Sequence, residues 1–101
     1  MTFTQKVFEL CRQIPKGKVA TYGQLAKLAG NPKAGRAVGM IMAHNPDAPA
    51  TPCHRVVAAD GKLTGYSAGE GITTKIKMLR LEGVEFRGGK VDLSQSQWQP
   101  T

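Results

Sequence analysis

Acidic side chains are scarce in this sequence, and that scarcity is its first constraint. Seven Asp and Glu stand against fourteen Lys and Arg in 101 residues, giving a formal charge of +7 and a pI near 9.8. An excess of that size points to an anionic partner, with nucleic acid first and an anionic membrane surface second; plain solubility charge is the alternative. Long apolar runs are lacking as well. No stretch approaches the roughly 18 residues of a membrane span, and Lys6, Glu9 and Arg12 interrupt the N-terminus before a signal peptide could form. Cysteine is limited to Cys11 and Cys53, so one disulfide is the maximum. With no export signal, both thiols are expected to be reduced in a cytosol. Cys11, His44, Cys53 and His54 show neither a C-x-x-C nor a closely spaced histidine pair, so no metal is expected. Repeats and long linkers are also missing, and residues 1–101 read as one domain. With 41% hydrophobic and 21% charged residues, the composition is that of an ordinary globular core.

What the chain does have is Pro52-Cys53-His54-Arg55-Val56, followed by Val57. A cysteine beside a histidine can be a nucleophile beside its base, because the thiolate attacks and an imidazole can remove its proton. In an extended strand the two side chains would point to opposite faces, so cooperation requires a bend, and Pro52 favours one. A buried structural thiol next to a surface imidazole is the other reading of the pair.

Helical periodicity places a first helix after Thr2 or Thr4, with Phe3, Val7, Phe8, Leu10, Cys11 and Ile14 on its apolar stripe. Cys11 is expected in the core. Pro15-Lys16-Gly17-Lys18 turns the chain. Thr21 caps a short helix over about Tyr22 to Ala29, and Gly30-Asn31-Pro32 stops it. A further helix is predicted from about Pro32 to His44. Two short helices around a tight turn outline a helix-turn-helix. The second carries Ala34, Gly35, Ala37 and Gly39 around Arg36. Each glycine costs about 1 kcal/mol against alanine in a helix, so close approach to something is implied, either a partner or another helix.

A loop with three prolines, Asn45 to Pro52, leads to Cys53. Val56 to Ala59 reads as buried, and Asp60-Gly61 signals a hairpin pairing it with Lys62-Leu63-Thr64. A glycine-rich loop, Gly65 to Gly71, precedes a last helix starting at Thr73 or Thr74. That helix carries Ile76, Met78, Leu79 and Leu81 and ends at Gly83. Val84-Glu85-Phe86 and Lys90-Val91-Asp92 form a small hairpin around Gly88-Gly89. The tail is polar except for Trp98, which is expected to dock on the body. The fold class is mainly α with a small β component, built on a single helix-turn-helix of winged-helix-like type.

Six blocks in this order carry a resemblance. They are Val19-Ala20-Thr21-Tyr22-Gly23-Gln24-Leu25-Ala26, Gly30 to Gly39, Asn45-Pro46, Pro52 to Val57, Gly61-Lys62-Leu63-Thr64-Gly65-Tyr66-Ser67, and Leu81-Glu82-Gly83. From about Phe3 to Val84 the chain resembles the O6-alkylguanine-DNA alkyltransferases, the methylated-DNA–protein-cysteine methyltransferases, in their C-terminal DNA-binding and active-site domain. The resemblance implies that Cys53 accepts the alkyl group, that His54 is its base through a water, and that Glu82 orients the imidazole. It further implies that Tyr22 protonates the departing guanine and Asn45 braces the turn before the active loop. Met42, Pro52, Val56, Tyr66 and Ser67 are implied to line the substrate pocket. Arg36 would enter the duplex in place of the flipped base, on a surface made with Thr21, Tyr22, Gln24, Lys33, Ala34, Gly35, Ala37 and Gly39. The implied partner is double-stranded DNA containing O6-alkylguanine, met by a monomer without cofactor in the cytoplasm. Transfer would be irreversible and the protein consumed.

Three features depart from that family. A separate N-terminal domain is lacking, Ala68 stands where many members have glycine, and the ending from Glu82 to Pro100 looks like the alkyltransferase-like proteins. Those bind alkylated DNA without repairing it, pass it to nucleotide excision repair proteins, and typically lack the cysteine. Because Cys53, His54 and Glu82 are all kept, transfer is the favoured expectation and lesion sensing the alternative. A cysteine hydrolase fits less well, since it leaves the basic charge unexplained.

Overall fold

The computed structural model describes residues 1–44, 51–63 and 71–100. The expected Asn45, Tyr66 and Ser67, together with Ala68 and Thr64, lie outside the described residues.

Capping chemistry starts the first two helices. Helix α1, Phe3–Gln13, begins at Thr2, whose hydroxyl accepts from the Gln5 amide while the Gln5 side chain reaches back. Helix α2, Tyr22–Leu28, repeats that capping box with Thr21 and Gln24. Helix α3 spans Gly35–Ala43 and begins later than the sequence suggests. The reason is Asn31: its side chain accepts from the Lys33 amide and its carbonyl from the Ala34 amide, so Pro32 and Lys33 are held in a turn. Helices α2 and α3 pack on each other as a helix-turn-helix.

Strand β1, Ala20–Thr21, pairs in parallel with β2, Val56–Val57, in the register Ala20↔Val56 and Thr21↔Val57. This corrects the expected pairing of Val56–Ala59 with the segment after Asp60. Asp60-Gly61 does make a turn, closed by Gly61 N–H to Ala58 O and Ala58 N–H to Lys62 O. The strand partner, however, lies far upstream, where no local turn signal reports it. The short ladder also divides the interior. Side chains alternate along strands, so Ala20 and Val56 join Val7, Cys11, Ile14, Leu25, Val38, Met42 and Cys53 in one core. Val19 and Val57 instead join Leu63, Leu79, Val84 and Val91 in a second.

Helix α4, Ile72–Leu81, begins at Gly71 rather than at a threonine. It ends in a Schellman motif: Val84 N–H bonds Leu79 O, and Gly83 N–H bonds Arg80 O, with Gly83 at φ +88°. Leu79 is its buried apolar residue, whereas Leu81 is 85% exposed. The buried position one turn before Leu79 belongs to Lys75. The hairpin forms as expected, β3 Phe86–Arg87 against β4 Lys90–Val91. The tail contributes more than Trp98. A short helix α5, Leu93–Ser96, and a bridge from Val19 to Gln97 bring Trp98 onto the first core, with its amide donating to Val19 O.

Gly61 fastens the second core. It sits at φ +87°, its carbonyl accepts from the Val91 amide, and a Cβ there would lie 2.3 Å from Val91 O. Gly61→Ala is therefore expected to cost about 2 kcal/mol or more in urea unfolding. A loss below roughly 0.5 kcal/mol would contradict that close contact.

Candidate functional site

The path of the chain into Cys53 is set by two successive tight turns. Pro52 has φ −81° and ψ 66°, and the Cys53 amide donates to Thr51 O at 2.8 Å; this is an inverse γ-turn. A single 3₁₀ turn, Cys53–Arg55, follows, with Arg55 N–H on Pro52 O and Val56 N–H on Cys53 O. The bend that cooperation between Cys53 and His54 requires is thus present. Thr51 is fully buried and its hydroxyl accepts from Arg12 Nε at 3.0 Å, which ties the turn to α1. On the far side, the Lys75 ammonium donates to Val56 O at 2.7 Å, which ties it to α4.

Because the Schellman motif ends α4 at Glu82, the Glu82 carboxylate meets this turn. Its Oε2 accepts from His54 Nε2 at 3.0 Å. Arg55 grips the same carboxylate in a two-pronged pair, Nε to Oε1 at 2.9 Å and Nη2 to Oε2 at 2.6 Å. The third arm of the guanidinium, Nη1, donates to Ile14 O at the end of α1. Burial alone would raise the Glu82 carboxyl, but the hydrogen bonds from Arg55 and then His54 outweigh it and hold the pKa below the usual value. An ionised carboxylate only accepts, so Nε2 of His54 carries the proton. The other ring nitrogen, Nδ1, is then a bare acceptor. His54 is 2% exposed, and among the described residues Nδ1 has no hydrogen-bond partner. Burial lowers the His54 pKa below 6.5, against the opposing pull of Glu82, so the ring is a neutral base at physiological pH.

Burial also sorts the two thiols. Cys11 is fully enclosed, and desolvation, followed by the proximity of Cys53, pushes it up to about 12. It remains an inert thiol. Cys53 is 5% exposed, sits beside the imidazole in sequence, and belongs to the same packed cluster as Val38 and Met42 of α3. Lys75, 1% exposed, is drawn down to about 8 by burial, with Cys53 and then Cys11 pulling the other way.

A shallow concavity of about 340 Å³ opens on the α2–α3 face, lined by Tyr22, Gly35, Arg36, Gly39, Met40, Ala43 and His44. A Cβ at Gly35 would come no nearer than 3.6 Å to Gly23, and one at Gly39 no nearer than 4.0 Å to the Tyr22 ring. Those are ordinary contacts, so packing against α2 does not demand glycine here. The space the glycines leave lies beside Tyr22 and forms part of the concavity. From Leu10 to Pro46 the chain has no Asp or Glu, while Arg12, Lys16, Lys18, Lys27, Lys33 and Arg36 fall within that stretch. Of these, Arg36 lines the concavity and Lys33 is exposed just before α3.

The structure brings Cys53, His54, Glu82, Pro52 and Val56 together in one turn system, with Met42 buried in the adjoining cluster. Tyr22, half-buried, borders both that cluster and the concavity. Arg36, Lys33 and Ala37 are exposed, with Ala34, Gly35 and Gly39 partly so. Thr21 and Gln24 have their side chains engaged within the fold: Gln24 also donates to Trp98 O and accepts from Gln97. Sequence reasoning assigned no part to Arg55 or Lys75. Arg55 adjoins the histidine in the quoted block, and Lys75 occupies the buried helical position four before Leu79. The first signal was legible in the residue order; the second runs against the polar-outside pattern of a helix.

Comparisons with known proteins identify the family. The sequence pattern of the 6-O-methylguanine DNA methyltransferase DNA-binding domain matches residues 2–84. A methylated-DNA–protein-cysteine methyltransferase of Methanosarcina acetivorans is 51% identical over 81 residues, 80% of this chain and 51% of the relative. The chain spans about half the length of the curated relatives it matches. Among solved structures, Mycobacterium tuberculosis OGT in complex with DNA superposes with a TM-score of 0.75 at 41% identity, covering 96% of this chain and 53% of that one. S. pombe Atl1, in complex with damaged DNA containing O6-carboxymethylguanine, superposes with a TM-score of 0.85 at 33% identity, covering 97% and 95%. With residues 2–84 matched, this chain belongs to the 6-O-methylguanine DNA methyltransferase DNA-binding domain family.

Proposed function

We propose that the chain is the active-site domain of a DNA repair protein that moves an alkyl group from O6-alkylguanine in duplex DNA to its own Cys53. The observation that carries this reading is the buried His54 ring, with Nε2 bonded to Glu82 and Nδ1 left as an acceptor. The thiol proton of Cys53 passes to Nδ1 through a bridging water. The thiolate attacks the alkyl carbon; a carbon–sulfur bond forms and the carbon–O6 bond breaks, its electron pair going to the purine. A proton from the Tyr22 hydroxyl neutralises the departing guanine, and the proton held by His54 is released to restore Tyr22. The thioether is not readily hydrolysed, so each molecule acts once. Such chemistry needs the base out of the stack, since the alkylated oxygen lies inside the duplex. The basic α3 face with Arg36 is suited to hold that state in the minor groove.

A second reading is favoured by one observation: S. pombe Atl1 superposes with a TM-score of 0.85, against 0.75 for the M. tuberculosis OGT–DNA complex over the same extent of this chain. On that reading the domain holds the lesion for nucleotide excision repair proteins without reacting.

Intact-mass measurement after incubation with a duplex containing O6-methylguanine separates the two. One methyl group on Cys53 is expected, never more than one, with Cys53→Ala binding the lesion but gaining no mass. Tight lesion binding by the native protein with unchanged mass would overturn transfer and leave sensing.

The pH dependence follows from the sign of the His54 shift. Its pKa is held below 6.5, so the accepting form persists as pH falls to that value and is lost only on further acidification. Single-turnover transfer rates from about pH 5 to 8 should show an acid limb below 6.5. Glu82→Gln should move that limb lower, because it removes the carboxylate that raises the pKa, and should slow the plateau at least about tenfold. A limb above 6.5, or one unmoved by Glu82→Gln, would contradict the assignment.

Arg36→Ala should weaken lesion-duplex binding and reduce the slope of log K against log salt by about one unit, with little change in thermal midpoint. An unchanged slope would remove Arg36 from the DNA contact.

A further inference from the structure

Helix α3 presents two parallel rows along its outer face. Gly35, Gly39 and Ala43, spaced four apart, form a low floor beside Tyr22. Arg36, Met40 and His44, also spaced four apart, form an exposed ridge along its edge. Met40 is 63% exposed. Isolated exposed apolar residues are common and need no special account. This one differs in its setting: it stands at the middle of a ridge between Arg36 and His44, over a concavity, within the stretch from Leu10 to Pro46 that has no acidic residue.

We infer that Met40 is a second wedge into the DNA minor groove, entering the duplex one helical turn from Arg36; this rests on the DNA reading above. The net charge of +7, with Lys33 and Arg36 exposed at this face, identifies its occupant as a polyanion. The helix geometry adds the spacing. Four residues advance about 6 Å along a helix axis, close to two base-pair steps of about 3.4 Å each. With Arg36 in the place of the flipped base, Met40 meets a neighbouring step when α3 follows the groove. Methionine is among the apolar side chains that pry base steps apart and bend the duplex, and its unbranched thioether adapts to irregular surfaces. The low floor of Gly35 and Gly39 lets the ridge reach that depth.

An apolar wedge releases no counterions, which separates its effect from that of a phosphate contact. Met40→Ala, Met40→Gln and Met40→Leu are compared with the native protein for affinity to an O6-methylguanine duplex across salt concentrations, and for bend angle by end-labelled fluorescence transfer. Met40→Ala and Met40→Gln should lose affinity on the order of tenfold with an unchanged salt slope and a smaller bend. Met40→Leu should stay within about threefold of native. Native affinity and bend retained in Met40→Ala would overturn the wedge while leaving the lesion-binding reading intact. So would an equal loss in Met40→Leu. A native protein that does not prefer the lesion duplex to undamaged DNA would overturn both.

Discussion

One carboxylate orders this molecule's chemistry. Glu82 is held by the end of α4, and it simultaneously accepts from His54 and from two arms of Arg55. Remove its charge and three things lose their definition: the tautomer of His54, the seat of the Arg55 guanidinium, and through Arg55 the tie to Ile14 at the end of α1. The interaction is effective because it is largely shielded from water. His54 is almost wholly buried, and the Glu82 and Arg55 side chains are only 12% and 16% exposed. A histidine–glutamate contact of this length is often drawn as an ion pair. Here burial keeps the imidazole neutral, and the contact is better described as a hydrogen bond that orients a base.

The reactive turn is fixed from three directions rather than by its own strands, which are two residues each. Arg12 reaches Thr51 from α1, Lys75 reaches Val56 from α4, and β1 pairs with β2 in between. The same ladder separates the two cores. A shift in the turn would therefore disturb both at once, which gives the position of Cys53 a rigidity that short elements alone could not supply.

Much of this was legible from residue order. Thr2 and Thr21 announced their helices, Gly83 ended α4, and Gly88-Gly89 made the last hairpin, because caps and turns are local chemistry. The family blocks named Cys53, His54 and Glu82 together. What the sequence hid was non-local. The partner of Val56–Val57 is Ala20–Thr21, and nothing near either segment reports the other. Lys75 was obscured because a lysine on the buried face of a helix breaks the polar-outside pattern; it is tolerated there because a main-chain carbonyl awaits it. Asn31 cut short the start of α3 by a side-chain turn that helix periodicity does not register. In the tail, Trp98 docks as expected, while the Asp92-capped helix and the main-chain bridge to Val19 carried no signal in the residue order.

On the outer surface the proposed DNA contact is a matter of charge and shape, while the inner site is a matter of proton position. The two meet at Tyr22, which borders both. The central claim concerns the inner site: a neutral His54 protonated at Nε2, with Nδ1 free to accept. Nitrogen-15 NMR of the imidazole ring in the native protein at neutral pH reads this directly. The account predicts a single Nε2–H tautomer with an unprotonated Nδ1; a ring protonated at Nδ1, or at both nitrogens, would contradict it.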